Sequence, residues 1–282
     1  MNSAVYTYIS HNLKLKKQED LSFPYSDLGF LYGYGLFESI CVQNGRAVML
    51  REHLTRIRRS GIMLEINNQW GQDQISQAVV DLIEKNKVQK AVLNIYLSAG
   101  ERSGLLVKEK KPQPMLLMVL RPYDEEKLNH DVNLDLRQES FQRGPLDGLK
   151  TMAWMKNWLE LRFCEEDCDD VLLYDSDGRI LETALANVFF IKGNRLFTPK
   201  HNTILSGVTR QVILNHQDHF NCEVIMEIIE KETLALFDEV FLCNAIRGII
   251  NVSSLKTFPS LKSGPKTQEI KKLYATLLNK LD

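Results

Sequence analysis

The chain predicts a mixed α/β fold in two domains. Three observations carry that reading: helical periodicities interleaved with strands in the first third, a polar turn-rich stretch after them, and a dense series of short strands beyond it. At 282 residues the chain has room for one large domain or two ordinary ones, each with a core of its own.

A strand over 37–42 ends on Asn44-Gly45, a pair that takes the positive φ of a tight hairpin, and a return strand is expected over 47–50. A helix follows, because Leu50, Leu54 and Ile57 recur at i, i+4 and i+7 and turn His53, Arg56 and Ser60 to another face. A second amphipathic helix over 74–85 buries Ile75, Ala78, Val79, Leu82 and Ile83, and strands are expected over 91–98 and 115–120. The stretch RPYDEEKLNHD then reads as a linker. The expected boundaries are 1–121 for a small α/β domain, 122–129 for the linker and 130–282 for a larger, β-rich, barrel-like domain. In that second domain Val132, Leu134 and Leu136 alternate, 171–174 turns at Asp177-Gly178 into 179–183, and 188–191 turns at Gly193-Asn194. Further strands are expected over 224–229, 240–244 and 248–252, and Ile270, Leu273, Tyr274, Leu277, Leu278 and Leu281 line a terminal amphipathic helix.

Composition narrows the function. With 35 Lys+Arg against 36 Asp+Glu the net charge is -1, so the basic surface that nucleic-acid phosphates require is absent and no nucleic-acid partner is expected. The longest apolar run, 115–120, falls far short of the ~18 residues of a spanning helix, and the polar start lacks a signal-peptide core. The expectation is a cytoplasmic protein with no membrane partner. Cys41, Cys164, Cys168, Cys222 and Cys243 are scattered without a CxxC, and His216 and His219 lack an obvious third ligand, so neither a disulfide framework nor a metal site is expected.

The glycine cluster Gly29, Gly33, Gly35 precedes a strand instead of opening a helix, unlike a dinucleotide or nucleotide loop. In Ser263-Gly-Pro-Lys-Thr267, Pro265 removes an amide that a phosphate cradle needs. Two other elements suit phosphate better. Arg56 lies one turn after His53 on a helix entered directly from the hairpin, where a guanidinium fork can take two phosphate oxygens; the surrounding Arg51, Arg58 and Arg59 read as a solvated face. Leu205-Ser-Gly-Val-Thr-Arg210 leads into the helical pattern of 211–216 and offers either helix-start amides to an anion or a plain N-cap. Two phosphate-shaped elements without a nucleotide motif invite a smaller phosphorylated cofactor.

The blocks SDLGFLYGYGLFESI, LREHLTRIRRSGI, GLKTM, DSDGRILETALANVFF, LFTPKHNTILSGVTRQ and DEVFLCNAIRGIINV occur in this order. Together they resemble, from about residue 26 to 252, the class IV pyridoxal-phosphate aminotransferases, which include branched-chain and D-amino-acid aminotransferases and aminodeoxychorismate lyase. The resemblance implies the two-domain fold type IV architecture, with a small α/β N-terminal domain and a larger β-rich pseudo-barrel that binds pyridoxal 5'-phosphate. It also implies a homodimer, with a small amino compound as substrate.

Residue by residue, it implies that Lys150 forms the Schiff base with the cofactor and acts as the catalytic base. Lys150 is preferred to Lys156 because its spacing to Glu182 matches the family's. Glu182 would pair with the protonated pyridine nitrogen, a contact worth about 1–3 pKa units that keeps the ring an electron sink. Arg56 and the amides of Val208 and Thr209 would hold the phosphate, with Asn187 and Gly207 beside them and Asn244 and Ala245 on the bordering loop. Glu38 and Arg102 are candidates for the substrate side. The chain departs from the family in carrying Ala153-Trp154 where relatives commonly have Asn-Tyr, and Tyr34 inside the glycine block.

The block FLCNAIRGI is similar to the Asn-containing version of the lyases, and 97–104 lacks the patterns of both aminotransferase types. The implied reaction is conversion of 4-amino-4-deoxychorismate to p-aminobenzoate, the folate precursor, and pyruvate. The alternatives are an amino-acid aminotransferase of branched-chain or D-amino-acid type, or a non-catalytic homologue that binds the cofactor.

Overall fold

A computed structural model describes residues 6–66, 68–101, 113–164 and 166–281. The chain forms two compact units, one of residues 1–124 with 149–154 and the other of 125–148 with 155–282.

The first unit contains, in order, β1 (Tyr8–His11), β2 (Lys14–Lys17), α1 (Leu28–Tyr32), β3 (Gly35–Gln43), β4 (Arg46–Ala47), α2 (Leu50–Met63), α3 (Gln72–Lys85), β5 (Ala91–Ser98) and β6 (Met115–Pro122). Its sheet runs β2-β1-β6-β5-β3-β4 with every pairing antiparallel. Asn44 and Gly45 take φ of 52° and 74° at the β3–β4 turn, as a two-residue hairpin requires. The return strand is shorter than 47–50, because Met49 adopts φ 53° and α2 starts at Leu50. A cluster including Ile40, Leu54, Leu82, Leu93 and Ile95 forms the core between helices and sheet. One expectation for α2 fails: His53 and Ser60 are buried, His53 because it faces a carboxylate inside the unit.

The second unit contains α4 (Glu125–Leu128), β7 (Val132–Gln138), α5 (Met155–Arg162), β8 (Asp170–Tyr174), β9 (Ile180–Thr183), β10 (Asn187–Lys192), β11 (Arg195–Pro199), α6 (Val208–Asn215), β12 (Glu223–Glu227), β13 (Glu239–Asn244), β14 (Gly248–Leu255) and α7 (Pro265–Leu281). Its sheet runs β12-β11-β10-β13-β14-β7-β8-β9, parallel at β11–β12, β14–β7 and β7–β8. Apolar residues such as Val188, Phe190, Val240, Leu242 and Ile250 form one cluster of its core. Phe189 and Phe241 lie on adjacent strands with ring centroids 5.1 Å apart.

The contiguous boundaries read from the sequence differ from these units in two ways. The stretch expected as a linker carries the short helix α4, and 149–154, expected in the second domain, joins the first unit. All five cysteines are free, and no described helix is long and apolar enough to cross a membrane.

Phe189 is fully buried. Phe189→Ala is expected to lower stability by about 3–5 kcal/mol through lost burial and a cavity, read as a fall in the urea midpoint without a change of slope.

Candidate active site

In the first unit the residues around Lys150 are held by backbone pairing to β3. Phe37 N donates to Lys150 O at 2.9 Å, Met152 N donates to Gly35 O at 2.9 Å, and Leu36 and Thr151 form an antiparallel bridge. The glycine block makes this close approach feasible. A Cβ on Gly35 would lie 2.4 Å from Met152 Sδ and 2.9 Å from Leu97 O, and one on Gly33, at φ +66°, would lie 3.0 Å from Ala153. Lys150 Nζ lies 4.3 Å from the centroid of the Phe37 ring, a cation–π contact. Tyr34, which interrupts the glycines, donates its hydroxyl to Leu64 O at 2.5 Å and so ties the start of β3 to the end of α2.

Behind Lys150 lies a buried charge cluster. Glu38 on β3 accepts from Arg56 Nε at 2.8 Å and Arg56 Nη2 at 2.5 Å, a bidentate fork, and pairs with His53 Nδ1 at 2.7 Å. Burial raises the Glu38 pKa, but the charge of Arg56 and the bonds from His53 and Arg56 outweigh it and bring it down to about 2. Burial, with the charges of Arg56 and Lys150, lowers the pKa of His53 against the raising effect of Glu38. His53 is therefore the neutral ring that donates its Nδ1 proton to an anionic Glu38. Glu38 was a substrate-side candidate. At 1% exposure, with both oxygens engaged, it stands behind Arg56 and not at a substrate.

In the second unit β9 and β10 present Glu182 and Asn187. Glu182 accepts from Arg143 Nη1 at 2.7 Å, from Asn187 Nδ2 at 2.9 Å, and from Leu205 N at 3.1 and 3.2 Å on its two oxygens. Asn187 Nδ2 also donates to Leu205 O at 3.0 Å. Gly207 is the N-cap of α6, which starts at Val208 and not at 211, so the amides of Val208 and Thr209 lie in its first turn. Gly207 has no side chain with which to cap that turn, and a Cβ there would fall 2.0 Å from Asn187 Oδ1. Asn244 closes β13, and its Oδ1 accepts from Ile246 N and Arg247 N, shaping the turn that contains Ala245.

Lys156, the competing lysine, bonds Asp147 and Gln142 O. Arg102 lies outside the described residues. His216 and His219 bond the carbonyls of Val212 and Leu273, and no group of three or more potential metal ligands occurs among the described residues. Two partners of the candidate carboxylates escaped the sequence reading, His53 at Glu38 and Arg143 at Glu182. His53 carried a usable signal, its helical spacing from Arg56; Arg143 carried none, because its partners are remote in sequence.

The family model for class IV amino-transferases matches residues 35–255. The chain belongs to this family. It is 26% identical to the aminodeoxychorismate lyase of Bacillus subtilis over 93% of this chain and 92% of that one. It is 21% identical to a D-alanine aminotransferase of Bacillus licheniformis over 92% and 93% of the two chains. The crystal structure of the Escherichia coli branched-chain amino acid aminotransferase superposes with a TM-score of 0.88 at 22% identity, over 97% of this chain and 95% of that one, so the fold is that of the fold type IV enzymes.

Class IV aminotransferases are pyridoxal-phosphate enzymes, and the donor set of this chain fits such a group. Lys150 supplies an amine in the first unit; in the second, Glu182 gathers donors on a carboxylate, and glycine at the N-cap of α6 leaves room beside Asn187.

The Glu38 cluster gives a pH dependence. A free Glu side chain titrates near 4.3 and this one near 2, so between those values the unfolded chain binds the extra proton. The contribution, on the order of 3 kcal/mol, is complete above about pH 5 and is lost as pH falls through 2. Glu38→Gln is expected to flatten the acid limb of stability against pH, measured by thermal melts from pH 2 to 6.

Proposed function

We propose that this chain converts 4-amino-4-deoxychorismate to p-aminobenzoate and pyruvate, using pyridoxal phosphate held by Lys150 and Glu182. Asn244 carries this reading over an aminotransferase: it stands in FLCNAIRGI, the Asn-containing form similar to the lyases, and its side chain builds the turn 244–247. Similarity to the Bacillus subtilis lyase along nearly the whole of both chains supports the same choice.

The cofactor, when bound, supplies an electron sink for the pair released as a bond at the substrate's amino-bearing carbon breaks. Lys150 is the covalent anchor. Its amine, freed by the incoming substrate amine, then removes the proton from that carbon, a base role typically worth ~10²–10⁴-fold. Loss of that proton, with cleavage of the ring carbon–oxygen bond to release enolpyruvate, which takes up a proton to become pyruvate, leaves the ring aromatic and makes the step irreversible. Glu182 holds a proton on the ring nitrogen, and Arg56 with the Val208 and Thr209 amides binds the phosphate beside Asn187, Gly207, Asn244 and Ala245. Arg102 takes a substrate carboxylate. The working protein is a cytoplasmic homodimer.

A second reading, an amino-acid aminotransferase, is supported by the match to a D-alanine aminotransferase over most of both chains. Purified protein incubated with synthetic aminodeoxychorismate is expected to release p-aminobenzoate and pyruvate in equal amounts. Rapid glutamate formation from 2-oxoglutarate and a panel of L- and D-amino acids, without p-aminobenzoate, would favour the aminotransferase. Lys150→Ala is expected to lose at least about 10²-fold in turnover, together with the borohydride-reducible cofactor linkage that mass spectrometry finds at position 150 of the unaltered chain. Linkage without turnover on any substrate would indicate a non-catalytic binder.

A further inference from the structure

Arg143, between β7 and α5, has a side chain as buried as that of the carboxylate it serves, each being 10% exposed. Its guanidinium joins three segments of the second unit. Nη1 donates to Glu182 Oε1 at 2.7 Å and to Thr203 O at 3.0 Å, and Nε lies 3.3 Å from Glu139 Oε2. Thr203 sits two residues before Leu205, whose amide reaches the same carboxylate. The acidic groups facing Arg143 are Glu182, Glu139 and Asp147, and they raise its pKa against the lowering effect of burial.

A carboxylate offers about four acceptor directions. Arg143 and Leu205 bond Oε1, and Asn187 and Leu205 bond Oε2, so these donors set the plane in which the carboxylate meets a ligand's N–H. Arg143 is the only charged one of the three. Without it Glu182 would be turned by neutral donors alone, beside Glu139 and Asp147.

We infer that Arg143 is a positioning residue that fixes the orientation of the Glu182 carboxylate toward the cofactor's ring nitrogen. The inference rests on the proposed role of Glu182. A guanidinium that bonds Glu182 and is itself held by Glu139 fixes the plane of the Glu182 carboxylate.

The test uses cofactor-stripped full-length protein titrated with pyridoxal phosphate and with its 1-deaza analogue, in which a carbon replaces the ring nitrogen. The unaltered chain is expected to prefer the natural cofactor, and Glu182→Gln to abolish the preference. Arg143→Gln is expected to weaken pyridoxal phosphate about tenfold while leaving the analogue within about twofold. Arg143→Lys, which keeps the charge and loses the fork, should fall between, and guanidinium chloride at concentrations below those that unfold the protein should restore binding to Arg143→Ala. Equal loss for both cofactors, or no loss for either, would overturn the inference by reducing Arg143 to a structural pair or a bystander. A chain that never distinguishes the two cofactors, with or without Glu182, would instead overturn the role of Glu182 and the inference with it.

Discussion

The arrangement depends first on a backbone constraint, the hydrogen bonding of 149–152 to the beginning of β3. Phe37 and Met152 donate across this pairing, and Leu36 faces Thr151. β4 pairs with β3 only at Val42 and Gln43, so this edge of β3 is otherwise open where 149–152 lies against it. A strand edge with unpaired amides is costly and prone to wrong partners. Covering it with the lysine segment satisfies the edge and fixes the stem of Lys150 against Phe37. The glycines follow from that pairing, since a Cβ at position 35 would occupy space already held by Met152 and Leu97.

Each unit contains a buried arginine held by a carboxylate, yet the pairs differ in consequence. Glu38 takes both arms of Arg56 and a proton from His53, and its charge is consumed within the protein. Glu182 receives one arm of Arg143 and two neutral donors, so a single charged partner sets its orientation. Buried ion pairs add little net stability once desolvation is counted, and removing one partner is expensive. Their worth here lies in orientation: a locked Arg56 has already lost its rotamer freedom before an anion arrives.

Much of this architecture was readable from local pattern. The hairpin at Asn44-Gly45 follows from φ preference, β6 from an unbroken apolar run, and α7 from its periodicity. What escaped is non-local or contrary to residue preference. The β1–β2 hairpin turns on Asn12 and Leu13, both at positive φ, and a leucine there gives no turn signal. β11 is five residues ending in proline, too short and mixed to stand out. Among the candidate residues, Lys150, Glu182 and the turn at Gly207 were named through motif order, while the helix after that turn begins at Val208 and not at 211. The burial of Glu38 and His53, and the whole role of Arg143, depend on partners that only the folded chain brings near.

The course of the chain through its two units also bears on how the protein can be made. Because 149–154 belongs to the first unit while 125–148 and 155 onward belong to the second, a ribosome that has released only the first 124 residues has produced a sheet with one border still bare. That nascent unit acquires its last backbone partners only after residue 152 has been translated. A truncation at 124 is therefore an unfinished and aggregation-prone unit, and a dissection of the protein into separately expressed halves has to carry the hexapeptide on the amino-terminal half.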